Sequence, residues 1–85
     1  MSDASGDSME RSARTAIQEL LLERDAGATI CPSEAARRIG GDDWRTAMDR
    51  VHKAAAELAA EGHVRLSQRG NTVTRPVGAY RIARA

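Results

Sequence analysis

Eight side chains in this sequence have the chemistry and the spacing that contact with nucleic acid requires. Cations neutralise phosphates, and side chains near the start of a recognition helix reach base edges in the major groove. The residues that we predict for this role are Arg37, Arg38, Arg45, Thr46, Arg50, Lys53, Arg65 and Arg69. The pattern therefore predicts binding to double-stranded DNA, with Arg65 and Arg69 on phosphates and the third helix in the groove.

Acidic residues at the start of the predicted recognition helix leave two alternatives open. Asp42, Asp43 and Asp49 place negative charge where the recognition helix would begin, and Asp49 can form an i,i+4 ion pair with Arg45. An exposed, salt-bridged helix is therefore the first alternative. The second is a domain that docks a protein partner or a second copy of itself and binds no nucleic acid.

The nucleophilic and metal-binding residue types are few and scattered. Cys31 would need a base beside it to act as a nucleophile, and the candidates His52 and His63 belong to other predicted elements. The spacing of these three residues matches no metal-ligand pattern. We find no paired carboxylates and no phosphate-binding loop. We therefore expect a non-enzymatic protein with no catalytic residue, metal, cofactor or small-molecule ligand, in which Cys31 is a structural thiol.

The first predicted helix is amphipathic. Asp7 is a suitable N-cap with Glu10 three residues later, the helix continues to about Ala26, and Gly27 ends it. We expect residues 1–6 to be disordered and residues 7–85 to form one domain. Its apolar residues recur at steps of three and four, and they are Met9, Ala13, Ala16, Ile17, Leu20 and Leu21.

Two further helices follow, separated by a tight glycine turn. Ser33 is the predicted N-cap of the second helix, which Gly40-Gly41 ends. Asp42 or Asp43 caps the third helix, which continues to Gly62. Trp44 lies on the apolar stripe of that helix, so we expect it to anchor the core. The full predicted stripe is Trp44, Met48, Val51, Ala55, Leu58 and Ala59.

An alternating segment after the third helix predicts a β-hairpin. Gly70-Asn71 is a two-residue turn signal, which would pair Arg69 with Thr72 and Gln68 with Val73. This pairing puts Val64, Leu66 and Val73 on one face and the polar residues on the other. We expect residues 28–31 to form a short strand that pairs with this hairpin, and residues 79–83 to form a last strand with Tyr80 and Ile82 inward.

Composition limits the chain to a small, aliphatic domain. At 85 residues it can build one core, because a chain of this size buries only about 60% of its unfolded surface. Aromatic residues make up 2%, which argues against base stacking on single strands. We see no membrane span and no signal peptide, and the single cysteine cannot form an internal disulfide. These features indicate a cytoplasmic protein.

Charge is unevenly distributed along the chain. Residues 1–32 carry three arginines against six carboxylates, whereas residues 33–85 carry ten Lys or Arg against six carboxylates. Residues 63–85 carry five arginines and no acid. A basic end on a chain of formal net charge +1 is a local electrostatic footprint for a polyanion.

Several of these residues resemble one known family. The run Cys31-Pro32-Ser33-Glu34, the later Asp43-Trp44-Arg45 and the turn Gln68-Arg69-Gly70 are similar to motifs of a family of small bacterial proteins, the domain of unknown function 3253. The resemblance covers about residues 12 to 84. It implies an α+β, mainly helical winged helix-turn-helix with three helices and a small antiparallel hairpin, the wing. It implies no catalytic residue and no ligand. A DNA-binding fold of this kind suggests a role in transcription regulation.

Overall fold

The computed structural model describes residues 5–74, 76 and 78–85 as an α+β fold that is mainly helical, as predicted. The helices are α1 (Ser5–Glu23), α2 (Pro32–Gly40) and α3 (Trp44–Ala60), with a 3-10 turn (Gly41–Asp43) before α3. The strands are β1 (Thr29–Ile30), β2 (Val64–Gln68), β3 (Asn71–Val73) and β4 (Arg81–Arg84). They form one antiparallel sheet in the order β1-β4-β2-β3, which is larger than the predicted hairpin.

The core lies between the helices and one face of the sheet. Ile30, Ile82, Leu66 and Val73 stand opposite one another and form an apolar row across all four strands. Their helical partners include the predicted α1 stripe, although the side chain of Met9 lies outside the part described. Alanines fill much of the remaining space, and Ala47 and Ala54, which the predicted α3 stripe omitted, are buried. Small side chains let the helices approach closely, which suits a core with few aromatic residues.

Two helices begin and end at different residues from those predicted. Helix α1 begins at Ser5, ahead of the predicted cap Asp7, and it ends at Glu23 instead of Ala26. The predicted disordered segment, residues 1–6, overlaps this start and otherwise lies outside the described residues. Helix α2 is capped at Cys31, not at Ser33, with Pro32 as its first residue. Proline suits this position because its missing N–H would have no partner in the first helical turn.

The turn between α2 and α3 depends on glycine. A Cβ atom on Gly40 would lie 3.2 Å from the Cβ of Ala47, so the absence of a side chain allows α2 to pack closely against α3. Gly41 has a φ of 56°, in the left-handed region that glycine tolerates best. Asp43 is the N-cap of α3, which agrees with the prediction that Asp42 or Asp43 caps this helix.

The hairpin turns one residue earlier than predicted. Ser67 pairs with Thr72 and Gln68 with Asn71, which leaves Arg69 and Gly70 at the turn, where the prediction put Gly70 and Asn71. Both turn residues have positive φ, 52° and 83°, as a type I′ turn requires. The predicted position, with glycine first, belongs to the II′ type. Val73 still shares a face with Leu66, so the predicted separation of apolar from polar residues is kept.

Strand β4 occupies the place that we predicted for the hairpin beside β1. Ile82 pairs with Ile30 on one side and with Leu66 on the other, so β1 contacts β4 and not the hairpin. Tyr80 and Ile82 are buried, as predicted. Arg84 at the end of β4 donates a hydrogen bond of 2.8 Å to the carbonyl oxygen of Leu21, which lies in the last turn of α1. A cation here offsets the unsatisfied carbonyls of the helix end.

Candidate nucleic-acid interface

Two guanidinium groups stack on the ring of Trp44 where α2 meets α3. The Cζ atom of Arg37 is 4.7 Å from the centroid of the ring and that of Arg45 is 4.6 Å from it. The tryptophan packs against the core, as expected of an anchor, but its side chain is only half-buried. Its position explains this, because the first residue of α3 stands at the end of the helix next to an exposed turn. Cation–π contacts of this type hold arginines in place without neutralising them.

The ion pair between Arg45 and Asp49, which was the first alternative, is not present in the described structure, where Arg45 stacks on Trp44. Thr46, Asp49 and Lys53 are exposed on the outer side of α3, and Arg50 is half-buried beside them. Helical spacing places these residues along one side of α3. Asp42 and Asp43 are exposed at its start and keep negative charge there.

Arg65 and Arg69 occupy different parts of the hairpin. Arg65 alternates with the buried Val64 and Leu66, so its side chain leaves the sheet on the side opposite to the helices. Arg69 is exposed at the turn itself. The structure thus places Arg65 on the opposite side of the sheet from the α3 side chains with which we grouped it. Arg69, at the turn, is covered neither by the helices nor by the sheet.

Arg38 is committed to a structural contact. Its guanidinium donates two hydrogen bonds of 2.9 Å to the two carboxylate oxygens of Glu23, and Glu19 lies 3.8 Å away. The pairing lowers the pKa of Glu23 and raises the pKa of Arg38, mainly through the hydrogen bonds. This side chain joins α2 to α1, which sequence spacing could not show because the two residues are 15 positions apart.

Two sets of arginines can be distinguished by their partners. The paired set is Arg14, Arg24 and Arg38, which form ion pairs with Glu61, Glu34 and Glu23 respectively. For the unpaired set, no carboxylate among the described residues lies within ion-pair distance. The unpaired set is Arg37, Arg45, Arg50, Arg65 and Arg69. It contains five of the eight residues that we predicted for nucleic acid.

The remaining arginines of the basic end have other contacts. Arg81 donates from Nε to the hydroxyl of Thr29 at 2.8 Å and from a terminal nitrogen to Sγ of Cys31 at 2.6 Å. Arg84 binds the end of α1, and Arg75 lies outside the described residues. Arg81 and Arg84 therefore keep their charge, but neutral groups of the fold hold their guanidinium groups in place.

The structure brings Cys31 and His52 to one cleft but places His63 elsewhere. His63 is exposed, with Nε2 3.5 Å from the carboxylate of Glu61. His52 contacts Tyr80, whose hydroxyl oxygen lies 2.8 Å from Nδ1. Within the described ranges, no three His, Cys, Asp or Glu side chains gather where they could hold a metal ion. In the same part of the chain, no helix has both the length and the apolar character needed to cross a membrane.

The family of the protein can now be stated. Residues 10–85 match the model of a protein family of unknown function, DUF3253. The chain belongs to this family. The DUF3253 match spans everything from the middle of α1 to the last residue, so it includes the Trp44 cluster, the hairpin and the cleft. No curated protein matches the sequence.

Proposed function

We propose that this protein is a winged helix-turn-helix module that binds double-stranded DNA, with α3 in the major groove and the hairpin turn on neighbouring phosphates. A helix-turn-helix followed by an antiparallel hairpin is the arrangement on which this proposal is built. Binding to a control region of a gene, and hence transcription regulation, is the role that such a module would serve.

The observation that carries the proposal is the distribution of carboxylate partners. The paired set is neutralised by contacts between elements, whereas the unpaired set keeps its charge on α2, α3 and the hairpin. Unneutralised arginines next to one another repel, and a polyanion relieves this repulsion while releasing its own counterions.

The proposed interface assigns different roles to the residues of the unpaired set and to their neighbours on α3. Arg37 and Arg45, held on Trp44, would contact phosphates on either side of the groove. Thr46, Arg50 and Lys53 would face base edges along α3, and Arg69 would contact a phosphate from the turn. Arg65 would reach only phosphates beyond the hairpin, because it lies on the outer face of the sheet. We leave Arg38 out, since its guanidinium is held by Glu23.

Titration of the protein onto a random duplex at several salt concentrations tests the proposal. Each lost phosphate contact should reduce the slope of log affinity against log salt by about one. Arg45→Ala and Arg69→Ala should each do so, Arg65→Ala should have a smaller effect, and the matched control Arg14→Ala should leave the slope unchanged. Arg50→Ala should weaken binding by about 1–3 kcal/mol and more on one sequence than on another.

A different result would favour the alternative of a protein-docking domain. Such a domain binds the duplex weakly at every salt concentration, and DNA would cause no amide shifts at residues 44–53 and 67–72. Asp49→Asn adds a sensitive control. It removes a negative charge from the proposed interface, so DNA affinity should rise if α3 faces the duplex and stay constant if it does not.

A further inference from the structure

We propose that the cleft between α3 and the residues that precede β4 binds a small organic anion with an apolar body, of the class of an aromatic carboxylate. The cleft has a volume of about 640 Å³, which lies within the range of small-molecule sites, about 300–1,000 Å³. Its existence does not depend on DNA binding. The sequence implied no such ligand, because the residues that form the cleft come from four separate segments.

The apolar part of the cleft suits the body of the ligand. Its walls are formed by α2, α3, β2 and the segment before β4, through Pro32, Met48, Ala56, Leu66, Pro76 and Ala79. These side chains present aliphatic surface and no buried polar atom without a partner. A planar hydrocarbon ring of one or two six-membered cycles fits such a space and would remove apolar surface from water on both partners.

The polar part of the cleft offers hydrogen-bond donors. Burial raises the pKa of Tyr80 to about 12, so its hydroxyl keeps its proton at neutral pH. We assign this proton to the 2.8 Å bond with Nδ1 of His52, which leaves the imidazole proton on Nε2. The exposed His52 thus presents an N–H donor at the cleft, and the hydroxyls of Ser33 and Thr74 line the same space.

The charge around the cleft favours an anion. The described residues that line it include no carboxylate. A positive charge adjoins its wall, because the guanidinium of Arg81 donates a hydrogen bond of 2.6 Å to the sulfur of Cys31, which lines the cleft. A carboxylate in the cleft would therefore accept hydrogen bonds without facing a like charge, whereas an ammonium group would meet no carboxylate among the described lining residues.

Two ligands of matched shape test the inference in the absence of DNA. The probes are 2-naphthoate and the uncharged 2-naphthalenemethanol, each titrated at neutral pH and followed by amide shifts. Naphthoate should shift residues 48, 52, 56 and 78–80 and bind several times more tightly than the alcohol. Equal affinity would overturn the anion assignment, and shifts elsewhere would overturn the site.

A pair of substitutions on α3 tests the site itself. Ala56 and Ala60 are both exposed alanines of this helix, but only Ala56 lines the cleft. Ala56→Phe should fill the space and weaken naphthoate at least tenfold, whereas Ala60→Phe should leave its affinity unchanged. Equal effects would overturn the proposal. His52→Gln, which retains a donor, should keep the preference for naphthoate over the alcohol, and His52→Leu should lose it.

Discussion

The paired and unpaired sets of arginines have the same charge but different surroundings. Arg14 reaches from α1 to Glu61 through two hydrogen bonds of 3.0 and 2.8 Å, and Arg38 reaches back from α2 to Glu23 in the same bidentate way. Arg37 and Arg45 instead lie over an aromatic ring, and Arg65 and Arg69 extend from the hairpin. The first arrangement joins elements of the fold, and the second holds charge in place without cancelling it.

The two arrangements explain how a domain with a formal net charge of +1 can still present arginines that no carboxylate neutralises. Arginines of the paired set form ion pairs with carboxylates of α1 and of the end of α3. The acids that remain near the unpaired set are Asp42, Asp43 and Asp49, and they reduce its field without contacting it. Net charge is therefore a poor guide here, because short-range pairing decides which charges a partner meets.

Charge reversal should separate the two sets most strongly. We expect Arg50→Glu to weaken duplex binding about 10- to 100-fold with little change in Tm, because it removes a groove contact and adds repulsion. Arg38→Glu should instead lower Tm by several degrees and leave DNA affinity intact, because it places a third carboxylate beside Glu19 and Glu23. Fluorescence anisotropy and thermal circular dichroism measure the two effects. If Arg38→Glu weakened binding as much as Arg50→Glu, the distinction between the sets would be lost.

Alkaline pH should destabilise the side of the molecule that contains the cleft. Burial raises the pKa of Tyr80 from its ordinary 10.0 to about 12, so the folded protein favours the protonated phenol. This contribution to stability is fully present below pH 10 and is lost as the pH rises towards 12. Chemical denaturation at a series of pH values measures it, and the phenolate absorbance of this single tyrosine gives the pKa directly.

Tyr80→Phe is the control for this titration. The variant should lose the part of the alkaline pH dependence that belongs to the phenol and keep the part that belongs to lysines and to other groups. A phenolate that forms with a midpoint near 10 in the folded wild type would show that Tyr80 is more accessible to water than its surroundings indicate.

Acid titration of two arginine variants should show that each arginine of the paired set lowers the pKa of its own glutamate. Hydrogen bonds from Arg38 and Arg14 hold the pKa values of Glu23 and Glu61, respectively, below the ordinary 4.5. Both carboxylates therefore stabilise the fold above that value, and the contribution disappears as the pH falls through the lowered pKa. In an NMR titration, Arg38→Ala should raise the pKa of Glu23 alone and Arg14→Ala that of Glu61 alone. A common shift of both would indicate a long-range effect instead of direct pairing.

The smallest expected effect concerns the hairpin turn, where one residue of the unpaired set adopts an unfavourable backbone conformation. Arg69 has a φ of 52°, which an L residue adopts at a cost that glycine avoids. We expect Arg69→Gly to stabilise the fold by up to about 1 kcal/mol in urea denaturation. Arg69→Ala removes the same charge but keeps the unfavourable φ, so it should not stabilise. Equal stability of the two variants would show that the charge, not the backbone, determines the effect.

Local patterns in the sequence were sufficient for most of the secondary structure. Apolar periodicity predicted the α1 stripe and the alternation of β2, and glycines located the turn before α3. The errors included small shifts in position: α2 begins at a proline, ahead of the predicted cap, and the hairpin turns one residue earlier than predicted. Such features depend on a few dihedral angles, which residue types restrict but do not determine uniquely.

Periodicity and turn chemistry act over only a few neighbouring residues, so the sequence was enough to predict which segments are helix or strand and where the basic residues cluster. Three contacts became visible only when the elements were packed together: the ion pair of Arg38 with Glu23, the two guanidinium groups on Trp44, and the meeting of His52 and Tyr80 in a cleft. These contacts join residues on different elements, and the way in which the elements pack decides which of them meet.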